Sequence, residues 1–331
     1  MSGVAFTRAS TLGPILDLLE ERGGCVDHVF RAADLPVQIC SKPDALIPLR
    51  DQFNIIELAA REIGDEALPA RLAMAAGVAG LGDYGRQFLA APTLGAAIEQ
   101  GNRINTSVLQ SATEMTLSIT RGTAQWTYYV TDLCRLGRQK NEILALGYML
   151  DLLRRFCGSA WNPIRINITQ SPISGLTATE TVLRCELSFD SIVSIIFPAE
   201  YLEAPNPGLK DSEISDFQQI PAPDDFLSCV QEIVRLGLAG GRPQRDWVAR
   251  RLGISVRTLQ RRLQELDTSY AVLLRTMIAE QATKLMRHRD GPISEIAYDL
   301  GYSDPSHFSR AFTQHFGRSP SDWRRAATKQ S

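Results

Sequence analysis

Apolar positions recur at helical spacing along the first half of the chain. Leu12, Ile15, Leu16 and Leu19 do so over residues 11–21, and Phe53, Ile56 and Ala60 over residues 50–63. Residues 93–103 and 138–157 follow the same period. Other segments change period. Residues 114–120 (EMTLSIT) and 124–131 (AQWTYYVT) alternate or are rich in β-branched and aromatic residues, and Arg121-Gly122-Thr123 between them predicts a hairpin. Residues 164–169, 181–189 and 191–197 are further strand candidates. Helices, a hairpin, a long helix and more strands, in that order, predict an α+β domain rather than a repeat array or a doubly wound sheet.

Periodicity is lost over residues 203–225, EAPNPGLKDSEISDFQQIPAPDD. Pro205, Pro207, Pro221 and Pro223 restrict themselves and their predecessors, which predicts a linker, with a short helical turn at 212–218. The expected organisation is therefore an α+β domain over 1–203, a linker over 204–225 and a second domain over 226–331.

The second domain holds one pattern twice. WVARRLGISVRTLQRRL occupies 247–263 and ISEIAYDLGYSDPSHFSRAF occupies 293–312. Ala249 precedes Leu252-Gly253 as Ala297 precedes Leu300-Gly301, with an offset of 48 residues. An amphipathic helix, a glycine turn, a capping residue and a second helix make a helix-turn-helix. The small alanine lets the second helix cross close over the first, and glycine takes a backbone conformation that sterics deny to other residues. Ser255 is placed as the cap of one second helix. Asp304 caps the other, with Pro305 at its first helical position. Helical spacing puts Leu259, Leu263 and Leu266 inward and Arg257, Gln260, Arg261 and Gln264 outward. In the second copy Phe308, Ala311 and Phe312 face inward, and Ser306, His307, Ser309 and Arg310 outward. Arginine can bond guanine O6 and N7, and glutamine adenine N6 and N7, so the outward sets suit a major-groove reader. Residues 269–289, with Leu274, Met277, Ile278, Leu285 and Met286 on one stripe, predict a joining helix of ~30 Å, close to the ~34 Å between successive major grooves on one face of DNA.

Charge sharpens this picture. The chain of 331 residues carries a net charge of −2, but residues 1–223 hold 18 Lys/Arg against 25 Asp/Glu while residues 224–331 hold 17 against 12. A basic C-terminal third beside an acidic remainder fits one module that meets a polyanion and one that does not. Lys284, Arg287 and Arg289 are candidates for phosphate contact or for simple helix C-terminal cations. Hydrophobic residues at 44% and charged residues at 22% exclude a disordered chain. The N terminus lacks a signal-like apolar core and no 18-residue apolar run occurs, so no membrane partner and a cytoplasmic location are expected. Six scattered cysteines without a C-x-x-C pair fit reduced, mostly buried thiols.

No P-loop, zinc-protease, nucleophile-elbow or dinucleotide motif occurs, and residues 1–223 hold a single histidine, His28, so neither an enzyme nor a cofactor is expected. His288, His307 and His315 are poorly spaced for a metal. Trp126 and Tyr128, with Tyr129 beside them, are candidates to line a ligand cavity, with core filling as the alternative. Arg135 and Arg138 are candidates to hold an anionic effector, with plain solvation as the alternative.

Residues 244–323, above all ISEIAYDLGYSDPSHFSRAFTQHFGRSPSDWR, resemble the C-terminal domain of AraC/XylS-type transcription regulators. That resemblance implies contact with two adjacent major grooves of promoter DNA. Carried over, it places Arg257, Gln260 and Arg261 in one groove and Ser306, His307 and Arg310 in the other. Pro305 departs from many relatives and removes a backbone donor. LGDYGRQFLAAPTLGAAIEQ and FDSIVSIIFPAEYLEAP are similar to the ligand-sensing domain of the ornithine-utilisation and virulence-type branch of that family. The implied regulator binds a small effector, forms homodimers, recruits RNA polymerase and acts as an activator. A constitutive DNA-binding regulator whose first domain only dimerises or meets a protein partner is the alternative. The β content does not read as the eight-stranded jelly roll of the arabinose-binding member.

Overall fold

A computed structural model describes residues 3–132, 134, 136–169, 174–208, 219–288 and 291–328. They fall into two compact units, one over Ala5–Ala222 and one from Pro223 onward together with Gly3 and Val4.

The first unit is α+β. A short antiparallel ribbon pairs β1 (Phe6–Arg8) with β2 (Leu46–Pro48). Around it lie α1 (Ile15–Glu21), α2 (Val26–Ala32), α3 (Leu49–Glu62), α4 (Leu68–Ala76), α5 (Gly82–Ala90) and α6 (Leu94–Ile104). The main sheet follows, built from β3 (Thr113–Thr120), β4 (Thr123–Val130), β5 (Arg165–Ile168), β6 (Leu187–Phe189) and β7 (Val193–Pro198), with α7 (Arg138–Cys157) and α8 (Leu176–Leu183) between its strands. Its order is β3-β4-β7-β5-β6, antiparallel except for the β5–β6 pair. Along β4, Ala124, Trp126, Tyr128 and Val130 are buried, as the period of two in AQWTYYVT requires. Thr120 pairs with Thr123, so the hairpin turn is the two residues Arg121-Gly122. The long helix α7 packs on α3, α4 and β7, and thus closes the space between the helices and the sheet.

Two expected segments differ. Residues 181–189 are not one strand: α8 ends at Leu183, Arg184 takes φ 56°, and β6 starts at Leu187. The alternating threonines hide a helical face, since Thr179 and Leu183 are the buried pair four residues apart and the Thr181 hydroxyl donates to the Thr177 carbonyl. Residues 11–21 are interrupted at Gly13-Pro14, so α1 begins at Ile15 after a 3-10 turn over Ala9–Leu12. The helical turn expected at 212–218 lies outside the described residues. Of the six cysteines only Cys229 is buried; Cys25 is exposed and the others are half-buried.

The second unit is all-helical: α9 (Phe226–Leu238), α10 (Arg245–Arg251), α11 (Val256–Gln264), α12 (Tyr270–His288), α13 (Ile293–Asp299), α14 (Pro305–Phe316) and α15 (Pro320–Thr328). The pairs α10–α11 and α13–α14 are helix-turn-helix motifs. In each, the residue after the turn glycine donates its N–H to the conserved-spacing alanine: Ile254 to Ala249 and Tyr302 to Ala297, both at 3.0 Å. Gly253 takes φ 65° and Gly301 φ 78°. Both alanines are buried. The turn of the second motif is one residue longer, because its cap Asp304 stands three residues after the glycine and Ser255 only two.

The 19 residues of α12 extend about 28 Å. Leu274, Met277, Ile278 and Met286 are buried along it and Leu285 is half-buried, and α12 packs on α9, α13, α14 and α15. Near its start the Tyr270 hydroxyl donates to the Pro243 carbonyl at 2.6 Å. Near its end Arg287 lies over the Trp323 ring at 5.5 Å, and Arg324 donates to the Gly291 carbonyl at 2.7 Å.

Gly253→Ala and Gly301→Ala should each cost about 1 kcal/mol from the left-handed backbone alone. A Cβ at Gly253 meets nothing within 4 Å, whereas at Gly301 it meets the Arg242 backbone nitrogen at 3.1 Å. Denaturant unfolding of the two variants should therefore rank Gly301→Ala as the more destabilising; equal losses would mean that the second turn relaxes freely.

Candidate nucleic-acid interface

The second helix of each motif, α11 and α14, begins on a side-chain cap. Ser255 Oγ accepts from the Thr258 N–H at 3.1 Å, and Asp304 Oδ1 accepts from the Ser306 N–H at 2.8 Å. The Ser306 bonds hold the Asp304 carboxyl below its usual range, so the cap is ionised at neutral pH. Pro305 occupies the first position of α14.

Core residues then fix which face is left over. Leu259 and Leu263 of α11 and Phe308 and Phe312 of α14 are buried. Phe308 stacks edge-on with Tyr302 at 5.5 Å, and Phe312 packs with Phe316 and Trp323. Burying each such ring contributes roughly 1.5–3 kcal/mol, which holds the helix in rotation. Ala311 is only half-buried. Leu266 does not join the core: α11 ends at Gln264, and Leu266 is 48% exposed beyond it, where Asp267 turns to φ 52° and the helical period no longer applies.

All six predicted reader residues are exposed. Arg257, Gln260 and Arg261 share the outer face of α11, and Ser306, His307 and Arg310 that of α14. With the longer second turn, Arg310 occupies the helical position of Arg261 and Ser306 that of Arg257, 49 residues on in each case. Arg257 and Arg310 make no ion pair among the described residues, Arg261 pairs with Glu265, and His307 Nε2 lies 3.7 Å from Asp304. Arg242, Arg245, Arg257 and Arg261 line one groove with Gln260 and Gln264. Other cations of this unit are committed to packing: Arg251 lies over Trp247 at 3.7 Å and Arg262 over Phe226 at 4.9 Å. The same holds for Arg287, while Lys284 is exposed and Arg289 lies outside the described residues.

The first unit holds a cavity of about 50 Å³ between α3, α5, α7 and the sheet. Trp126 and Tyr128 line it, as do Gln52, Phe88 and Leu144. Trp126 Nε1 donates to Asn102 Oδ1 at 2.9 Å. Tyr128 Oη accepts from Asn141 Nδ2 at 2.8 Å and Gln110 Nε2 at 2.5 Å. Burial pushes the Tyr84, Tyr128 and Tyr148 phenols far above their usual range, so all three stay neutral. Arg138 does not reach the cavity. Its guanidinium donates to the Val130 and Asp132 carbonyls and lies 3.9 Å from Glu142, an acid whose pKa is raised by burial. Tyr129 faces the other side of the strand, 48% exposed, and Arg135 lies outside the described residues. The fully buried Gln52 is a lining residue that pattern reading passes over as polar, although it falls on the same helical face as Ile55, Ile56 and Ala59.

Among the described residues no group of three His, Cys, Asp or Glu side chains is placed to hold a metal, and no helix is long and apolar enough to cross a membrane. His28 sits on the surface, its Nδ1 2.6 Å from Glu62.

Exposed side chains that make no ion pair among the described residues contribute little to stability. Arg257→Ala and Arg310→Ala should shift unfolding free energy by less than about 0.5 kcal/mol, against about 2–5 kcal/mol for Leu259→Ala one face away. Equilibrium denaturation distinguishes the two classes, and a large loss at either arginine would show that it serves the fold instead.

Residues 23–206 match the family described as the arabinose-binding domain of AraC transcription regulators, N-terminal, and residues 248–326 match a helix-turn-helix domain family. Over 325 residues the chain is 27% identical to an ornithine utilization regulator of Pseudomonas aeruginosa, covering 94% of both chains. Over 80 residues it is 38% identical to the HTH-type transcriptional activator RhaS of Escherichia coli O139:H28, 24% of this chain and 29% of that one. Among solved structures it is similar to the transcriptional regulator CdpR of Pseudomonas aeruginosa, with 18% identity, a TM-score of 0.37 and coverage of 78% of this chain and 87% of that one.

Proposed function

Because the chain belongs to the AraC family of transcription regulators, we propose that it is an effector-responsive activator that reads two adjacent major grooves of promoter DNA. The observation that carries this reading is the pair of solvent-facing reader helices, each held in rotation by a buried face, in two motifs joined through one packed helix about 28 Å long. Arg257, Gln260 and Arg261 read one groove; Ser306, His307 and Arg310 read the other. Arg310 and Arg261, free of core duties, are the candidates for bidentate contact with guanine. Ser306 and the cationic side chains around the helix starts serve phosphate contact and register.

We assign residues 1–203 to effector sensing and self-association, 204–225 to the linker and 226–331 to DNA binding, in a cytoplasmic protein. Effector binding favours the DNA-engaging state by its differential affinity for that state, and RNA polymerase is recruited beside the bound homodimer. Of the four effector candidates, Trp126 and Tyr128 keep that role because they line the cavity, whereas Arg138 is spent on carbonyls of the β4 end.

Arg310→Ala should weaken binding at its cognate base pair by ~1–3 kcal/mol and relax preference there. Residues 224–331, with 17 Lys/Arg against 12 Asp/Glu, should bind DNA with affinity that falls steeply with salt. Unchanged affinity for the variant, or a flat salt titration, contradicts the groove assignment. Ile278→Pro breaks α12 at its centre, and a footprint should then shrink to one half-site; a full-length footprint would exclude the two-groove reading.

A further inference from the structure

We propose that the cavity of the first unit is the effector site, and that it selects a small uncharged molecule, largely apolar with one carboxamide-like donor–acceptor edge, read by Gln52. The proposal deepens the effector reading above and rests on it.

Gln52 lines the cavity from α3, is fully buried, and among the described residues has no partner for either Oε1 or Nε2. A side-chain amide carries two donors and an acceptor, and a buried one without partners is costly to keep. The neighbouring amides in the same wall are treated differently. Asn105 Nδ2 donates to Thr113 Oγ1 at 2.8 Å, and Gln110 and Asn141 both donate to Tyr128 Oη. Gln52 is thus the wall amide whose pairing must come from the cavity. Tyr128 adds to it. With two N–H groups bonded to its oxygen, the phenol has its own hydrogen left to donate. The cavity therefore offers an amide edge and one hydroxyl donor against walls of Leu81, Phe88, Leu109, Leu144, Met149 and Leu152.

Charge narrows the ligand class. Among the described residues, no Asp, Glu, Lys, Arg or His lines the cavity. Ionisable groups close to the lining are paired with one another, Arg138 with Glu142 near Tyr128 and Arg155 with Asp151 near Val78 and Tyr148. A carboxylate or ammonium group would lose its hydration here without gaining a counter-charge, which excludes free amino acids such as ornithine. Size narrows it again. At about 50 Å³ the cavity is smaller than the ~150 Å³ apolar cavity that takes benzene, so the ligand holds at most about six heavy atoms, as isobutyramide does.

The test is calorimetric titration of the full-length chain with isobutyramide and with its charged isosteres isobutyrate and isobutylamine, alongside ornithine. Isobutyramide should bind at least about tenfold more tightly than any of the other three. Gln52→Met and Gln52→Leu should each weaken isobutyramide about tenfold, while the ligand-free melting temperature holds or rises because an unpaired buried amide has gone. Equal or tighter binding of a charged probe, no binding of any probe, undiminished amide affinity in both variants, or a fall in melting temperature in both would overturn the proposal. DNA binding measured on the same preparations separates this from the regulator reading: a wrong ligand class leaves DNA affinity intact, whereas a wrong regulator reading removes it in the wild-type chain.

Discussion

The second unit depends on the packing of α12. Its buried stripe, from Leu274 through Ile278 to Met286, sets its contacts with α9, α13, α14 and α15. The Tyr270–Pro243 and Arg324–Gly291 hydrogen bonds restrain the chain at either end. A helix packed in this way resists bending, because any kink opens apolar contacts with its neighbours. Each motif then needs only a local rule: a tight glycine turn, a cap, and a hydrophobic face that fixes rotation. What faces solvent is the remainder, and in α11 and α14 that remainder is rich in arginine, glutamine and histidine.

The two units solve opposite electrostatic problems. In the C-terminal unit several arginines are absorbed by aromatic faces, as with Arg251 on Trp247 and Arg262 on Phe226. Those contacts tie basic residues to the fold and leave Arg257 and Arg310 uncommitted. In the N-terminal unit charge is kept out of the cavity. Lys140 is paired with Glu57 and Glu66, Arg138 is held at the end of β4, and the cavity tyrosines are neutral. A neutral, narrow space beside one unpaired amide discriminates by hydrogen bonding and shape, which suits a sensor that must ignore the charged solutes around it.

The helix-turn-helix pair was legible because its rules are local. Alanine, glycine, cap and apolar spacing occur within about twenty residues in each copy, and turn bonds, caps and the burial of Leu259, Leu263, Phe308 and Phe312 follow from them. Leu266 marks the limit of such reading, since periodicity does not announce where a helix stops. In the first unit the hairpin, α3, α6 and α7 were also legible from their period. The α8 segment was not, because β-branched threonines can satisfy either a strand alternation or a helical face, and only packing chooses.

The sequence by itself determined the chemistry presented to solvent by the second unit, because a short amphipathic helix leaves no choice about which side chains point outward. It also determined the α+β character of the first unit. Tertiary structure alone decided which residues meet around the cavity. Gln52, Tyr128 and Asn141 come from α3, β4 and α7, and their convergence is set by how the long helix closes over the sheet. Neither the unpaired state of Gln52 nor the diversion of Arg138 to backbone carbonyls has any local signature, since both depend on partners brought from distant parts of the chain.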